Sequence, residues 1–195
     1  MDKIEKVREH IEEIMKILEV PINNSTEDTP KRVAKMWCNE VFENINNTTI
    51  DKLNASMKVF DNIDNLEDMV VLRDIHFNSM CEHHFMPFFG KMAVAYVPNN
   101  KIIGLSKIPR VIKYFSKKPQ LQERLVKEIA DYLVEIINPK ALFVMAYDTT
   151  HTCVLCRGIE CEADTDTMYK KFDIFTDNEL KSEYIKEFYN RIGGK

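Results

Sequence analysis

Two short runs of metal-binding side chains constrain this chain more than any other feature: Cys81-Glu82-His83-His84, and His151-Thr152-Cys153-Val154-Leu155-Cys156-Arg157. Thiolate and imidazole are the preferred donors for zinc, and the two runs can serve one ion only if distant backbone is brought together. Any fold open to the sequence must therefore set residues 81–84 against residues 151–157.

The patterning between and around these runs predicts the elements that do this. Ile4, Val7, Ile11, Ile14, Met15 and Leu18 recur at helical spacing, so an amphipathic helix is expected over 3–19. Asp28 or Thr29 as cap with Pro30 at the first helical position starts a second helix running to about Phe42. The Asn-rich stretch 44–54 reads as a loop. Strands are expected at 69–77 and across GKMAVAYVP, joined by the segment that carries Cys81 and His84. Helices at 106–117 and 120–137 are divided by Lys118-Pro119. ALFVMAYDTTH and CVLCRGIECEA read as a strand or a pair of strands, and the tail NELKSEYIKEFYNRI as a helix. This order belongs to the α+β class with an antiparallel sheet. We expect an N-terminal helical region at 1–55 and a catalytic domain at 56–195.

Composition matters here for what it excludes. Five cysteines, an odd number, suit a reducing compartment and a site rather than disulfides. No apolar run approaches a membrane span and the N-terminus is charged throughout, so a cytoplasmic protein with no membrane partner is expected. A formal net charge of −4 argues against nucleic acid as a partner. Against that background Lys107, Arg110, Lys113, Lys117 and Lys118 form a local anion-attracting patch with no acidic residue among them.

Which donors hold the ion depends on the local backbone. If 150–156 is a strand, His151 and Cys153 share a face while Cys156 points the other way into the core. That selects Cys81, His84 and Cys153 and leaves a fourth position for water, the pattern of catalytic zinc. The competing pattern is a structural site in which Cys156 is the fourth ligand. His83 and His151 remain as imidazoles able to move protons, which a structural site would not use.

The runs CEHHFMPFFGKMAVAYVP, IGLSKIPR, PQLQERL and HTCVLCRG, with DTPKRVAKM upstream, resemble the GTP cyclohydrolase I family in order and spacing over nearly the whole chain. The resemblance implies a tunnelling fold, assembled as a homodecamer of stacked pentamers with sites at subunit boundaries. It implies GTP as substrate, converted with water to formate and 7,8-dihydroneopterin triphosphate, a first step shared by folate and other pterin syntheses. Cys81, His84 and Cys153 match the Zn2+ ligands, and His83 and His151 the catalytic histidines, with Ser106 a further candidate for proton transfer. Zinc would activate water for attack at C8 of the purine while His151 protonates N7. Glu123 matches the guanine-reading carboxylate, and Gln122 sits beside it. Lys107, Arg110 and Arg157 match triphosphate binders, and Arg32 one supplied by a neighbouring subunit.

One stretch departs from the family. After Arg157-Gly158 the family carries a Ser/Thr-rich strand, whereas this chain reads IECEADTDTMYKKFD. Asp164 and Asp166 would weaken triphosphate binding if they faced it. A divergent paralogue acting on a related purine or pterin, or a zinc-stabilised binding subunit, is therefore the alternative expectation.

Overall fold

In the computed structural model, which describes residues 2–46, 49–172 and 178–193, the N-terminal periodicity becomes α1 (Lys3–Ile17). Its Ile11 and Met15 are buried, and α1 packs on α2 (Thr29–Met36), where Pro30 opens the helix and Ala34 is fully buried. A wider turn over Trp37–Val41 continues α2 to Phe42, close to the expected end.

The Asn-rich stretch is not all loop. Its second half forms α3 (Ile50–Ser56), anchored by buried Leu53. Asn44 explains why so polar a segment is ordered. It is 4% exposed, its Nδ2 donates to the Tyr114 carbonyl at 2.9 Å, and its backbone N–H donates to the Lys117 carbonyl at 2.9 Å. Thr49 in turn donates its hydroxyl to Asn44 Oδ1. These bonds depend on residues far along the chain, so local pattern could not reveal them.

After β1 (Val59–Asp61) come β2 (Val70–Cys81) and β3 (Pro87–Val97), then β4 (Lys101–Ile103), which pairs with β1. Next are α4 (Lys107–Ser116), the short β5 (Pro119–Gln120) and α5 (Gln122–Ile137), close to the expected bounds. The chain continues through β6 (Ala141–His151), the single turn α6 (Thr152–Leu155), β7 (Asp164–Phe172) and α7 (Asn178–Arg191). The main sheet has the order β5-β2-β3-β6-β7 and is antiparallel except where β5 lies parallel to β2. It is the α+β arrangement that the element order predicted.

Alternation along β3 and β6 feeds two cores. Met92, Val94, Leu142 and Val144 face α4 and α5, whose Ile108, Val111, Leu125 and Ile129 are buried against them. Ala93, Ala95, Phe143 and Met145 face the opposite side, where Phe188 of α7 and Ile192 just after it are buried. The Phe143 and Phe188 rings stack with centroids 5.1 Å apart.

Irregularities in three adjacent pairings bend this sheet. The register shifts between Leu72 and Ile75, between Phe89 and Lys91, and between Ala146 and Thr149. Asp74 and Asp148 adopt left-handed backbone there, with φ of 57° and 48°. Bulges of this kind increase local twist and re-aim the strand ends. At Gly90 the neighbouring strand comes so close that a Cβ would lie 2.8 Å from the Thr149 Cα.

CVLCRGIECEA corrects the expected strand. The ladder between β3 and β6 ends at the pair Phe88 and His151, and Thr152 then donates its hydroxyl to the Pro87 carbonyl at 2.6 Å. The chain turns into α6 instead of continuing, and the Cys156 N–H closes that turn on the Thr152 carbonyl. Alternation therefore does not apply beyond 151, and Cys156 is exposed, not buried in the core.

Candidate active site

The site begins where β2 runs out. Cys81, 5% exposed, ends the strand, and residues 82–86 fold back tightly, with the Cys81 N–H on the Met86 carbonyl and the Phe85 N–H on the Cys81 carbonyl. Phe85 takes a left-handed φ of 50° in this turn and packs its ring beside Trp37 and Phe42. His83 and His84 are thereby held on the open side of the turn, both exposed.

The turn α6 brings Cys153 up to the same point. Cys153 Sγ lies 3.9 Å from Cys81 Sγ, and His84 Nδ1 lies 3.9 Å from Cys81 Sγ. One donor atom from each of Cys81, His84 and Cys153 falls within 4.8 Å of the other two. Around a tetrahedral zinc, with bonds of about 2.0–2.3 Å, neighbouring donors stand roughly 3.5–3.8 Å apart. The donor set and its spacing therefore fit a Cys₂His ion with little movement. Burial, and then the neighbouring Cys81 thiol, push the Cys153 thiol above its ordinary pKa; a cation between the two sulfurs would reverse that. Cys156 is not part of this group.

The remaining imidazoles flank the cluster. His83 Nδ1 is 3.9 Å from Cys81 Sγ. His151, the last residue of β6, stacks flat on Phe88 with ring centroids 4.7 Å apart and planes 4° from parallel. Its Nε2 is 2.7 Å from Gln122 Oε1. Burial lowers the His151 pKa, and the nearby Glu123 carboxylate opposes that shift.

The pairing of β5 with β2 carries the start of α5 to the same end of the sheet. Cys81 sits opposite Gln120, and the Glu82 N–H donates to the Gln120 carbonyl at 3.2 Å. An ion pair between Arg124 and Glu82 fastens the turn to α5. Glu123 is exposed beside the cluster, whereas the Gln122 side chain is turned inward and only 3% exposed. Arg157 is exposed after α6, close enough for its charge to act on Cys153.

Other expected residues do not meet the cluster within one chain. Ser106 occupies the N-cap of α4 without a side-chain cap bond, and Lys107 and Arg110 lie in the first turn. α4 lies along β2, and it is its other end that reaches the Cys81 end of the strand, where the Ser79 hydroxyl donates to the Ser116 carbonyl at 2.9 Å. Ser106 and Lys107 thus stand a helix length away, about 15 Å. Arg32 is exposed on α2 and pairs with Asp28 at 3.7 Å.

Strand β7 resolves the acidic departure. Asp164 accepts the Thr150 hydroxyl at 2.7 Å and Asp166 accepts the Asp148 N–H at 3.1 Å. The alternate residues Thr165 and Thr167 point the other way, and both bond the Gln122 side chain. The carboxylates consequently turn away from the Gln122 side of the strand. Period-two alternation through Asp-Thr-Asp-Thr carried that signal, but it was legible only once β7 was known to be a strand. Phe88 beneath His151 and the Glu82–Arg124 pair gave no signal in the sequence.

The family model described as GTP cyclohydrolase I matches residues 7–189. The chain is 47% identical over 141 residues to GTP cyclohydrolase 1 of Sulfurihydrogenibium sp. (strain YO3AOP1), covering 72% of this chain and 70% of that one. It is 36% identical over 184 residues to GTP cyclohydrolase 1 of Clostridium perfringens (strain 13 / Type A), covering 93% and 96%. Among solved structures, the apo form of an archaeosine synthase QueF-like protein is similar with a TM-score of 0.44 and 14% identity, covering 55% of this chain and 96% of that one.

Proposed function

This chain belongs to the GTP cyclohydrolase I family, and on that premise we propose that it is a hydrolase that opens the imidazole ring of GTP and yields formate and 7,8-dihydroneopterin triphosphate. The observation that carries the reading is the meeting of Cys81, His84 and Cys153 at one point, with His83 and His151 beside it and Glu123 at the start of the adjoining helix.

Cys81, His84 and Cys153 would hold the ion, for which zinc suits two thiolates and an imidazole. When bound, such an ion supplies Lewis acidity that makes water nucleophilic near neutral pH. The protein's own groups supply the rest. His151, held flat on Phe88, donates a proton to N7 as water adds at C8. Protonation at N7 withdraws electrons from the imidazole ring and lets the C8–N bonds break, with C8 leaving as formate. His83 and Ser106 are placed in the later proton transfers that open the ribose and close the pterin ring. Glu123 accepts from N1 and the 2-amino group of guanine, a donor pattern that adenine lacks. Arg157 binds phosphate beside the metal.

Ser106, Lys107, Arg110 and Arg32 act from other copies of the chain, since in one chain they stand apart from the cluster. The proposal therefore includes a homo-oligomer, a decamer by family expectation, in which residues 1–55 form a helical extension of the catalytic domain 56–195. Among the described residues no helix is long and apolar enough to cross a membrane; a cytoplasmic location is part of the same proposal.

The paralogue reading drew on Asp164 and Asp166, and their bonds to Thr150 and to the Asp148 backbone weaken it. Incubating zinc-loaded protein with GTP, and following formate together with the fluorescent pterin formed on oxidation, tests the proposal. Equal yields of both support it. No product at high enzyme concentration would favour the paralogue.

A further inference from the structure

Beyond its place next to Glu123, Gln122 has a bonding pattern that assigns it a different task. Its amide can make four hydrogen bonds, two as donor and two as acceptor, and all four are used inside the protein. Nε2 donates to the Thr165 carbonyl at 3.2 Å and to Thr167 Oγ1 at 3.0 Å. Oε1 accepts from Thr165 Oγ1 at 2.8 Å and meets His151 Nε2 at 2.7 Å. With the side chain only 3% exposed, nothing is left to offer a nucleobase.

The direction of these bonds is fixed by one partner. The Thr165 carbonyl can only accept, so the amide nitrogen must face it; turning the amide over would set oxygen against oxygen. Oε1 is therefore the atom that faces His151, and it can only accept. Consequently His151 Nε2 must carry a hydrogen. Its Nδ1 has no hydrogen bond to a described residue, and stacking on Phe88 fixes the plane of the ring. An amide achieves this without adding charge beside the metal cluster.

We propose that Gln122 is a positioning residue, locked by Thr165 and Thr167 of β7, that holds His151 in the Nε2–H tautomer and so leaves Nδ1 as the ring nitrogen open to substrate. This assignment rests on the proposed role of His151. It also gives the threonines of β7 a function: they are a second layer behind the histidine. Removing the partner that orients a metal-ligating histidine typically costs 10- to 100-fold, and a loss of the same order is expected for His151.

The test reads the tautomer directly. Histidine-labelled, zinc-loaded protein is measured by ¹⁵N and ¹³C NMR at mildly alkaline pH, with the His151 signals identified by their loss in His151→Asn. The wild-type spectrum should show Nε2–H. Gln122→Met should give a mixture of tautomers, with kcat down roughly 10- to 100-fold and KM for GTP changed by less than about threefold. An Nδ1–H wild-type signal overturns the proposal, and needs no variant to fold. So does a Gln122→Met enzyme with an unchanged tautomer that instead raises KM or accepts inosine triphosphate, because that is the behaviour of a guanine reader. Should the wild type show Nε2–H yet turn over no GTP, the functional reading fails and only the hold of Gln122 on the His151 tautomer stands.

Discussion

Cys153 and Cys156 are separated by one helical turn but have different surroundings, and the difference is measurable. Cys153→Ala removes one of three converging donors and should leave the purified protein without stoichiometric zinc. Cys156→Ala alters an exposed thiol and should retain it. Metal analysis of the two variants distinguishes a three-ligand centre from the structural alternative, which requires both to lose the ion. His151→Asn should keep zinc and the fold but lose about 10²–10⁴-fold in kcat, the usual contribution of a positioned proton donor, as read from formate release. The candidate donors were legible in the sequence because zinc accepts so few side-chain types, but the choice between Cys153 and Cys156 was not, since the strand alternation behind it ends at His151. The support behind them was not: Phe88, Thr165 and Thr167 are ordinary strand residues until a fold places them against His151 and Gln122.

Among the elements, the bulged region of the sheet carries the sharpest stability prediction. A methyl group on Gly90 would press on the Thr149 backbone at 2.8 Å, and backbone in mid-sheet cannot swing aside as a side chain can. Gly90→Ala should therefore destabilise the protein by about 1–3 kcal/mol, the usual cost of overpacking, seen as a lower urea midpoint with an unchanged slope. Helices and strands with strong periodicity fell close to their expected bounds, as α4 and α5 show. The misread segments share one cause. α3 and α6 are held mainly by long-range bonds, from Asn44 to the end of α4 and from Thr152 to Pro87, which outweigh weak local preference.

The whole molecule makes its own prediction, because one chain sets Cys81, His84 and Cys153 beyond one end of α4 and Ser106, Lys107 and Arg110 at the other. If two copies complete each site, His151→Asn and Arg110→Ala should each be nearly inactive alone. Refolded together from an equal mixture, they should regain activity at about a quarter of the sites, those that draw each half from an intact copy. Failure to recover any activity would mean that the site lies within one chain. At this scale the division between sequence and structure is clear. The sequence determined which side chains are available for metal binding and proton transfer, since few types can do either, and it determined the long elements, whose periodicity is a local property. Tertiary structure alone decided which thiol joins the cluster, which way the acidic residues of β7 turn and what holds His151, because each depends on contacts between segments that no local pattern encodes.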